Sequence, residues 1–370
     1  MKVETFSRFA RGISFVPFTV LQTWIEQLKA GRALEESDVR QAVEELSDEG
    51  IATPLKADFL AALGTKGETP GEIAAFARSL RDKAVAPPLD AEVRSREILD
   101  VVGTGGDRLG TFNISTAAAL ICAAAGVTVA KHGNRAVTSQ AGSADVLQAL
   151  GIRIDFPPEE AVRSLREQNF AFFFAPNYHP AFKNIGPARK LCAERGVRTV
   201  FNLLGPLLNP VRPSAMLMGV PRPEFCEPLA RVLQSLGVRR AMVVCGKVSG
   251  VGFLDELSTL GENTIAEFYQ ERGFAMSTLA TTEFPFQSAM LADLLGGDKT
   301  ANAKIVRDIL SGAERGPKRE AVLFNTAAAL FVAGKSKSLM EGWDLAIETI
   351  ESGRAKRKLE ELARASAVVG

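Results

Sequence analysis

Residues 98–106 read Ile-Leu-Asp-Val-Val-Gly-Thr-Gly-Gly, an apolar run that leads directly into a glycine-rich turn. The β-branched and apolar side chains of this run predict a buried strand. Three glycines within four positions allow positive φ angles and expose backbone N–H groups, so the turn can wrap around an anion. A helix predicted from about Ser115 adds a favourable dipole. A tight strand-to-helix turn without a ligand is the alternative interpretation.

The chain beyond this unit alternates between strands and helices. Apolar runs predict strands at residues 127–130, 152–156, 170–174, 215–220 and 241–245, with helices between them. Such alternation favours an α/β fold with a mixed, mainly parallel central sheet. We assign residues 93–370 to this α/β domain.

The first 92 residues predict a small helical N-terminal domain instead. Thr53 is the predicted cap of one helix, with Pro54 at its first position and Gly64 placed to end it. Thr69 forms a capping box with Glu72 at the start of the next helix. No strand-like run interrupts this region. Helices around residues 180–210 are expected to pack on the helical domain.

The composition excludes several classes of function. The chain carries 44 Lys and Arg residues and 43 Asp and Glu residues, so its formal net charge is +1. This charge argues against electrostatic binding of nucleic acid or an anionic membrane by the whole protein surface. The four cysteines form no Cys-x-x-Cys pair, and two histidines cannot build a multi-histidine metal cluster. Neither a membrane span nor a secretory signal is recognisable, and we expect a cytoplasmic protein.

Polar residues cluster where the first two strands end. Residues 113–116 read Asn-Ile-Ser-Thr. One such residue is an ordinary helix cap, but three beside a glycine turn suit diphosphate oxygens and a magnesium ion. Residues 131–135 read Lys-His-Gly-Asn-Arg and follow the second strand, where open sheets bind ligands, although a solvated loop is the alternative. Ser139 and Ser143 add hydroxyls, and Ser143 is the expected cap of the next helix.

Two adjacent carboxylates, Asp255 and Glu256, are able to hold a hard divalent cation, although Asp-Glu pairs more often carry surface charge. His179 either lines a pocket or starts a helix. Two familiar phosphate motifs are excluded, because Arg108 replaces the last glycine of a dinucleotide motif and Ala329 replaces the first glycine of a P-loop.

Together these segments resemble the anthranilate phosphoribosyltransferase family. The matching strings, in the family's order, are residues 103–107, 111–116, 131–135, 142–147, 175–180, 201–210, 255–256 and 324–329. They cover most of the chain to about residue 350. The resemblance implies a helical N-terminal domain joined to an α/β domain of the nucleoside phosphorylase and phosphoribosyltransferase class, usually as a homodimer.

The resemblance also implies an activity, in which the amine of anthranilate attacks C1 of phosphoribosyl diphosphate in tryptophan biosynthesis while Mg2+ holds the leaving diphosphate. The residues implied for phosphoribosyl diphosphate are Gly103, Gly106, Asp107, Thr111, Asn113, Ile114, Ser115, Thr116, Lys131, His132, Gly133, Asn134, Arg135, Ala136, Val137, Thr138, Ser139 and Ser143. Gly103, Asn134 and Arg189 are implied for anthranilate, and Ser115, Asp255 and Glu256 for the metal. We assign no general acid or base, since an aromatic amine is barely basic.

The chain departs from the family pattern in a few places. Arg108 stands where the family usually has glycine, and Ala136 and Ala141 replace the commoner serines. A short insertion after Arg189 makes Arg195 or Arg198 the alternative ligand of the acceptor. Residues 1–18 are an extension without a derived role.

Three alternatives to this activity differ from it in the residues that they require. A phosphoribosyltransferase for another aromatic acceptor would keep the phosphate residues and change the acceptor pocket. A nucleoside phosphorylase would need a different phosphate motif, which the chain lacks. A non-catalytic nucleic-acid-binding relative should show a strong basic bias, which the net charge of +1 contradicts.

Overall fold

The computed structural model describes residues 19–136, 140–270 and 273–367. Its first part is a helical domain, as predicted. The helices are α1 (Val20–Lys29), α2 (Glu36–Ser47), α3 (Thr53–Lys66) and α4 (Pro70–Asp82). The predicted capping box at α4 is confirmed, because Thr69 Oγ1 accepts from Glu72 N at 3.1 Å and a Glu72 carboxylate oxygen accepts from Thr69 N at 2.8 Å.

Two predicted details of α3 are wrong. Ala52 precedes the helix as its cap, and Thr53 is already its first residue. The helix passes through Gly64 and ends at Lys66, and the next residue, Gly67, has a positive φ of 87° that favours glycine. Gly64 has a different role: a Cβ there would lie 2.4 Å from the carbonyl oxygen of Arg198, so the glycine permits close packing against that loop.

An eight-stranded mixed sheet forms the centre of the second domain, in the order β3-β2-β1-β4-β5-β7-β8, with β6 paired to β5. The strands are β1 (Ile98–Gly103), β2 (Thr128–Gly133), β3 (Phe170–Phe174), β4 (Ala215–Gly219), β5 (Arg240–Val248), β6 (Gly252–Leu254), β7 (Asn263–Tyr269) and β8 (Gly273–Leu279). Strands β1 to β5 pair in parallel, and β6, β7 and β8 are antiparallel. The predicted mixed, mainly parallel sheet is confirmed.

The remaining helices cover both faces of this sheet. They are α5 (Ala91–Ser95), α6 (Ile114–Ala124), α7 (Ser143–Ala149), α8 (Pro158–Gln168), α9 (Ala175–Tyr178), α10 (Phe182–Glu194), α11 (Phe201–Leu204), α12 (Cys226–Ser235), α13 (Leu291–Leu294), α14 (Lys299–Leu310), α15 (Pro317–Val332), α16 (Leu339–Glu351) and α17 (Arg354–Ala367). Within the described ranges, no helix combines the length and the apolar character that crossing a membrane requires.

Alternate residues of each central strand enter two different cores. Leu217 and Val244 face α6, α15 and α16, whereas Met218 and Val243 face the helical domain together with α10 and α12. Helix α10 also packs on α2 and α3. The helical domain therefore has no separate core of its own: its apolar side chains and one face of the sheet bury each other.

The predicted strand at residues 152–156 is absent. Its alternating burial arises because Ile152 and Ile154 pack into one core and Phe156 into another, while Arg153 N donates to Ser366 Oγ of α17 at 2.8 Å. Strand β2 starts one residue later than predicted and continues to Gly133. That extension places Lys131 and His132 inside the sheet rather than in a following loop.

Candidate functional site

The glycine-rich turn after β1 lies against the segment that follows β6. Gly105 has a φ of 75°, and its N–H donates to Asp255 Oδ2 at 2.5 Å. A Cβ on Gly103 would lie 2.8 Å from the same oxygen, and one on Gly219, at the end of β4, would lie 1.6 Å from the Asp255 carbonyl oxygen. Only glycine at positions 103 and 219 allows Asp255 to lie so close to the ends of β1 and β4. The turn thus meets the predicted metal residues.

Asp255 and Glu256 are both buried, at 7% and 9% exposure. Glu256 Oε1 accepts from Ser115 N at 3.1 Å, and Asp255 N donates to Asp107 Oδ2 at 3.4 Å. Burial and the neighbouring Asp107 raise the pKa of Asp255 well above its usual range. Burial raises the pKa of Glu256 to about 7, against the opposing pull of Lys131. The sheet thus brings Asp107, Ser115, Asp255 and Glu256 together.

This donor set fits magnesium. Crowded, buried carboxylates repel one another and need a positive charge to remain ionised, which a divalent cation bound to oxygen ligands would supply. Among the described residues, no group of three or more Asp, Glu, His or Cys side chains is arranged to hold a metal by itself. Magnesium usually keeps several waters and takes substrate phosphate oxygens, so two carboxylates are compatible with it.

The start of α6 is bonded differently from an ordinary cap. The Asn113 side chain does not cap the helix; its Oδ1 accepts from Asn302 at 3.0 Å, and its Nδ2 donates to the Ala141 carbonyl oxygen at 3.2 Å. The Ile114 side chain belongs to the apolar core, so it presents only backbone to the turn. Thr116 Oγ1 is buried and has no hydrogen-bond partner in the structure. The Asn113 side chain is therefore already engaged, and Thr116 Oγ1 is the polar atom of this helix start that lacks a partner.

Lys131 and His132 are buried residues of β2, at 2% and 5% exposure. Lys131 Nζ donates to the Val101 carbonyl oxygen at 2.6 Å. Burial and the nearby His179 lower the pKa of His132 to about 3, so this ring adds no positive charge to the strand end at neutral pH. Its Nε2 atom lies 3.2 Å from that of His179, so the two neutral rings share a hydrogen bond.

The predicted ligands that follow β2 have different surroundings in the structure. Arg135 leaves the strand ends and pairs with Asp145 at 2.9 Å. Ser143 is the first residue of α7 rather than its cap, and a Cβ on Gly133 would lie 2.3 Å from Ser143 Oγ. Asn134 is exposed beside them. The predicted ligands Val137, Thr138 and Ser139 lie outside the described residues.

Aromatic rings connect the histidine pair to Arg189. The His179 ring contacts Phe182 with centroids 5.5 Å apart, and Phe182 contacts Phe201 at 5.6 Å. The Arg189 guanidinium lies 5.1 Å from the Phe201 ring centroid. Of the three candidate arginines, Arg189 is the one on this aromatic path.

The two alternative arginines have other neighbours. Arg195 forms an ion pair with Asp58 of α3 at 2.7 Å. Arg198 lies over the Phe225 ring at 5.5 Å. Both therefore engage residues outside the aromatic path.

Arg108 has a left-handed backbone, with a φ of 59°, and its side chain is exposed. This conformation explains why the family pattern favours glycine there, since a side chain at positive φ is strained. Thr111, which follows the glycine turn, and Ala136, which follows β2, are half-buried. Thr111 forms an isolated bridge to Leu295.

Sequence reasoning missed Asp100 and Asn209. Asp100 is fully buried on β1, its Oδ2 accepts from Asn209 Nδ2 at 2.8 Å, and burial raises its pKa to about 6. A signal existed in the sequence, because a carboxylate inside an apolar strand run requires a polar partner.

Comparisons with known proteins agree with this architecture. A family model described as the glycosyl transferase family a/b domain matches residues 95–356, and one described as the helical bundle domain of that family matches residues 22–84. Anthranilate phosphoribosyltransferase of Petrotoga mobilis is 44% identical over 339 residues, which are 92% of this chain and 95% of that protein.

Solved structures show the same likeness. The crystal structure of anthranilate phosphoribosyltransferase from Thermus thermophilus is 42% identical, with a TM-score of 0.83, and the match covers 93% of this chain and 99% of that one. The enzyme from Saccharomyces cerevisiae, solved in complex with PRPP and Mg, is 27% identical with the same TM-score of 0.83, over 94% and 98% of the two chains.

Proposed function

Because the chain belongs to the anthranilate phosphoribosyltransferase family, we propose that it transfers the phosphoribosyl group of phosphoribosyl diphosphate to anthranilate, releasing diphosphate, in tryptophan biosynthesis. The observation that carries this proposal is the convergence of Asp255 and Glu256 on the glycine turn and on the start of α6. Backbone donors, buried carboxylates and a buried lysine meet there, which is the chemistry that a magnesium-bound diphosphate requires.

Asp255, Glu256 and Ser115 would hold magnesium, which lowers the barrier by neutralising the departing diphosphate. The buried ammonium of Lys131 adds a second positive charge in a low-dielectric region, where electrostatic stabilisation is strong. Glycine N–H groups and the first turn of α6 orient the phosphates. The residues of this site therefore act mainly by alignment and charge, without a covalent intermediate.

Arg189 is our proposed ligand for the anthranilate carboxylate, because a guanidinium can bind it bidentately. Phe182 and Phe201 offer apolar faces beside it for the aromatic ring. Asn134 would complete the acceptor site from the end of β2. No side chain is assigned as a general base.

We further propose that the protein is a cytoplasmic homodimer. All four cysteines are buried free thiols, which fits a reducing compartment, and closed symmetric homodimers are the commonest soluble oligomers. Light scattering behind size-exclusion chromatography measures the assembly state.

The first experiment follows the loss of anthranilate fluorescence after addition of phosphoribosyl diphosphate and magnesium, with a metal-free control. We expect a decay that requires the metal. The double variant Asp255→Ala/Glu256→Ala should keep its circular dichroism spectrum and lose most of its turnover. A wild-type protein that binds the sugar phosphate by calorimetry but leaves anthranilate unconsumed would instead indicate a different aromatic acceptor.

A further inference from the structure

We propose that Asp100 and Asn209 form a positioning pair that fixes Lys131 for the diphosphate; this inference rests on the proposed function. Neither residue is among those that the family resemblance implies for substrate or metal. The pair acts on Lys131 through the backbone on both sides of it and through charge.

Backbone pairing between β1 and β2 stops where Asp100 and Asn209 lie. The parallel partners of β1 and β2 are Ile98 with Thr128 and Leu99 with Val129, and Asp100 is the next residue of β1. From there, side chains reach the β2 backbone: Asn209 Nδ2 donates to the Ala130 carbonyl oxygen at 2.8 Å. His132 N points at Asp100 Oδ1 at the longer distance of 3.5 Å. Polar side chains thus take over from backbone pairing.

These contacts bracket Lys131. Ala130 precedes it and His132 follows it, so the pair holds the backbone on either side of the lysine. The two side chains also bind each other, with Asn209 Nδ2 2.8 Å from Asp100 Oδ2. Both are 0% exposed, so water does not compete for their hydrogen bonds.

Charge gives the pair a second effect. Lys131 Nζ donates to a neutral acceptor, the Val101 carbonyl oxygen, while Asp100 and Glu256 both attract the ammonium electrostatically. Without Asp100, Glu256 alone would attract Lys131, and the lysine would compete with a cation for that carboxylate. Asp100 therefore counterbalances the attraction of Glu256 and keeps the lysine at the strand end.

The test compares Asp100→Asn with the wild type, since the amide keeps the shape of the side chain and removes its charge. Calorimetry of the magnesium complex of phosphoribosyl diphosphate, without anthranilate, should show affinity weakened by about 10-fold or more, the usual effect of losing a residue that orients a metal or phosphate ligand. Steady-state kinetics should show the same rise in KM for the sugar phosphate, with KM for anthranilate little changed.

Glu72→Gln is the matched control. Glu72 is another buried carboxylate paired with a lysine, at 2.8 Å from Lys66, but it lies in the helical domain. The Glu72→Gln variant should have a lower melting temperature than the wild type and an unchanged affinity for the sugar phosphate. A loss of affinity in both variants would show a general effect of destabilisation and would overturn the inference.

Asn209→Ser provides a second, independent variant and decides the matter where Asp100→Asn does not fold. It removes the donor to the Ala130 carbonyl oxygen and should weaken sugar-phosphate binding in the same way. Wild-type affinity in the folded variants refutes the positioning role. Failure of the wild type itself to bind the sugar phosphate refutes the proposed function instead, so the two failures are distinct.

Discussion

Arg189 offers a direct test of acceptor recognition. Its guanidinium stacks near Phe182 and Phe201, and a bidentate bond to a carboxylate contributes about 1.5–3 kcal/mol. Arg189→Ala should therefore raise KM for anthranilate by about 10-fold to 100-fold and change KM for the sugar phosphate far less. Initial rates at varied concentrations of each substrate measure both constants.

Arg195→Ala is the control for this prediction, because Arg195 follows the same helix and pairs with Asp58 instead. It should leave both KM values near those of the wild type. Equal changes in both constants for Arg189→Ala would contradict its assignment to the acceptor.

The prediction for Arg108 concerns backbone strain in the glycine turn rather than recognition of a substrate. Its φ of 59° carries a strain of about 1 kcal/mol, which glycine relieves at some cost in chain entropy. Arg108→Gly should raise the free energy of unfolding by about 0.5 kcal/mol, measured by urea denaturation, and keep the affinity for the sugar phosphate. A large loss of that affinity would make the Arg108 side chain a phosphate ligand.

At the scale of elements, Gly64 controls how α3 meets the loop before α11. A Cβ at Gly64 would lie 2.4 Å from the Arg198 carbonyl oxygen, whereas one at Gly186, inside α10, would meet nothing within 4 Å. Gly64→Ala should destabilise the protein by about 1–3 kcal/mol through overpacking. Gly186→Ala should stabilise it by up to about 1 kcal/mol through helix propensity.

Thermal unfolding of the two variants beside the wild type checks this contrast. The melting temperature should fall for Gly64→Ala and rise slightly for Gly186→Ala. Equal shifts would show that the close approach to Arg198 has no energetic weight.

Elements with strong local signals were predictable from sequence, and those defined by distant contacts were not. The capping box at Thr69 and the strand from Ile98 depend on adjacent residues, and both are confirmed. The false strand at residues 152–156 shows that packing against helices can reproduce the burial pattern of a strand. Strand β8 went unrecognised because it is an edge strand with mostly exposed side chains.

The same distinction applies to the site. Motif strings identified Gly103, Ser115, Asp255 and Glu256, which the fold brings close together. The pairing of His132 with His179 was not predictable, because 46 residues separate the two histidines along the chain. Only the neighbouring ends of β2 and β3 bring them into contact.

At the scale of the whole molecule, this histidine pair makes stability depend on pH. Burial lowers the pKa of His179 to about 4 from an ordinary value of 6.5. As the pH falls below 6.5, the unfolded chain binds a proton that the folded chain excludes, so the free energy of unfolding decreases. Between about pH 7 and about pH 5 the decrease attributable to His179 is about 2 kcal/mol.

His179→Gln isolates this contribution from the buried carboxylates Asp100 and Glu256, whose raised pKa values act in the opposite sense. Urea unfolding at the two pH values should show a wild type that loses more stability on acidification than the variant does. Parallel pH dependence in the two proteins would mean that His179 titrates normally in the folded state.

The core shared by the helical domain and the sheet has a consequence for how the chain can be divided. Met218 and Val243 of the sheet belong to the same buried apolar cluster as Phe59 and Phe76 of the helices. A fragment ending near residue 92 would expose the inner face of its helices to water and should aggregate. Calorimetry of the full chain should show a single cooperative heat-absorption peak, and a protease that cuts the chain near residue 92 should release no stable helical fragment.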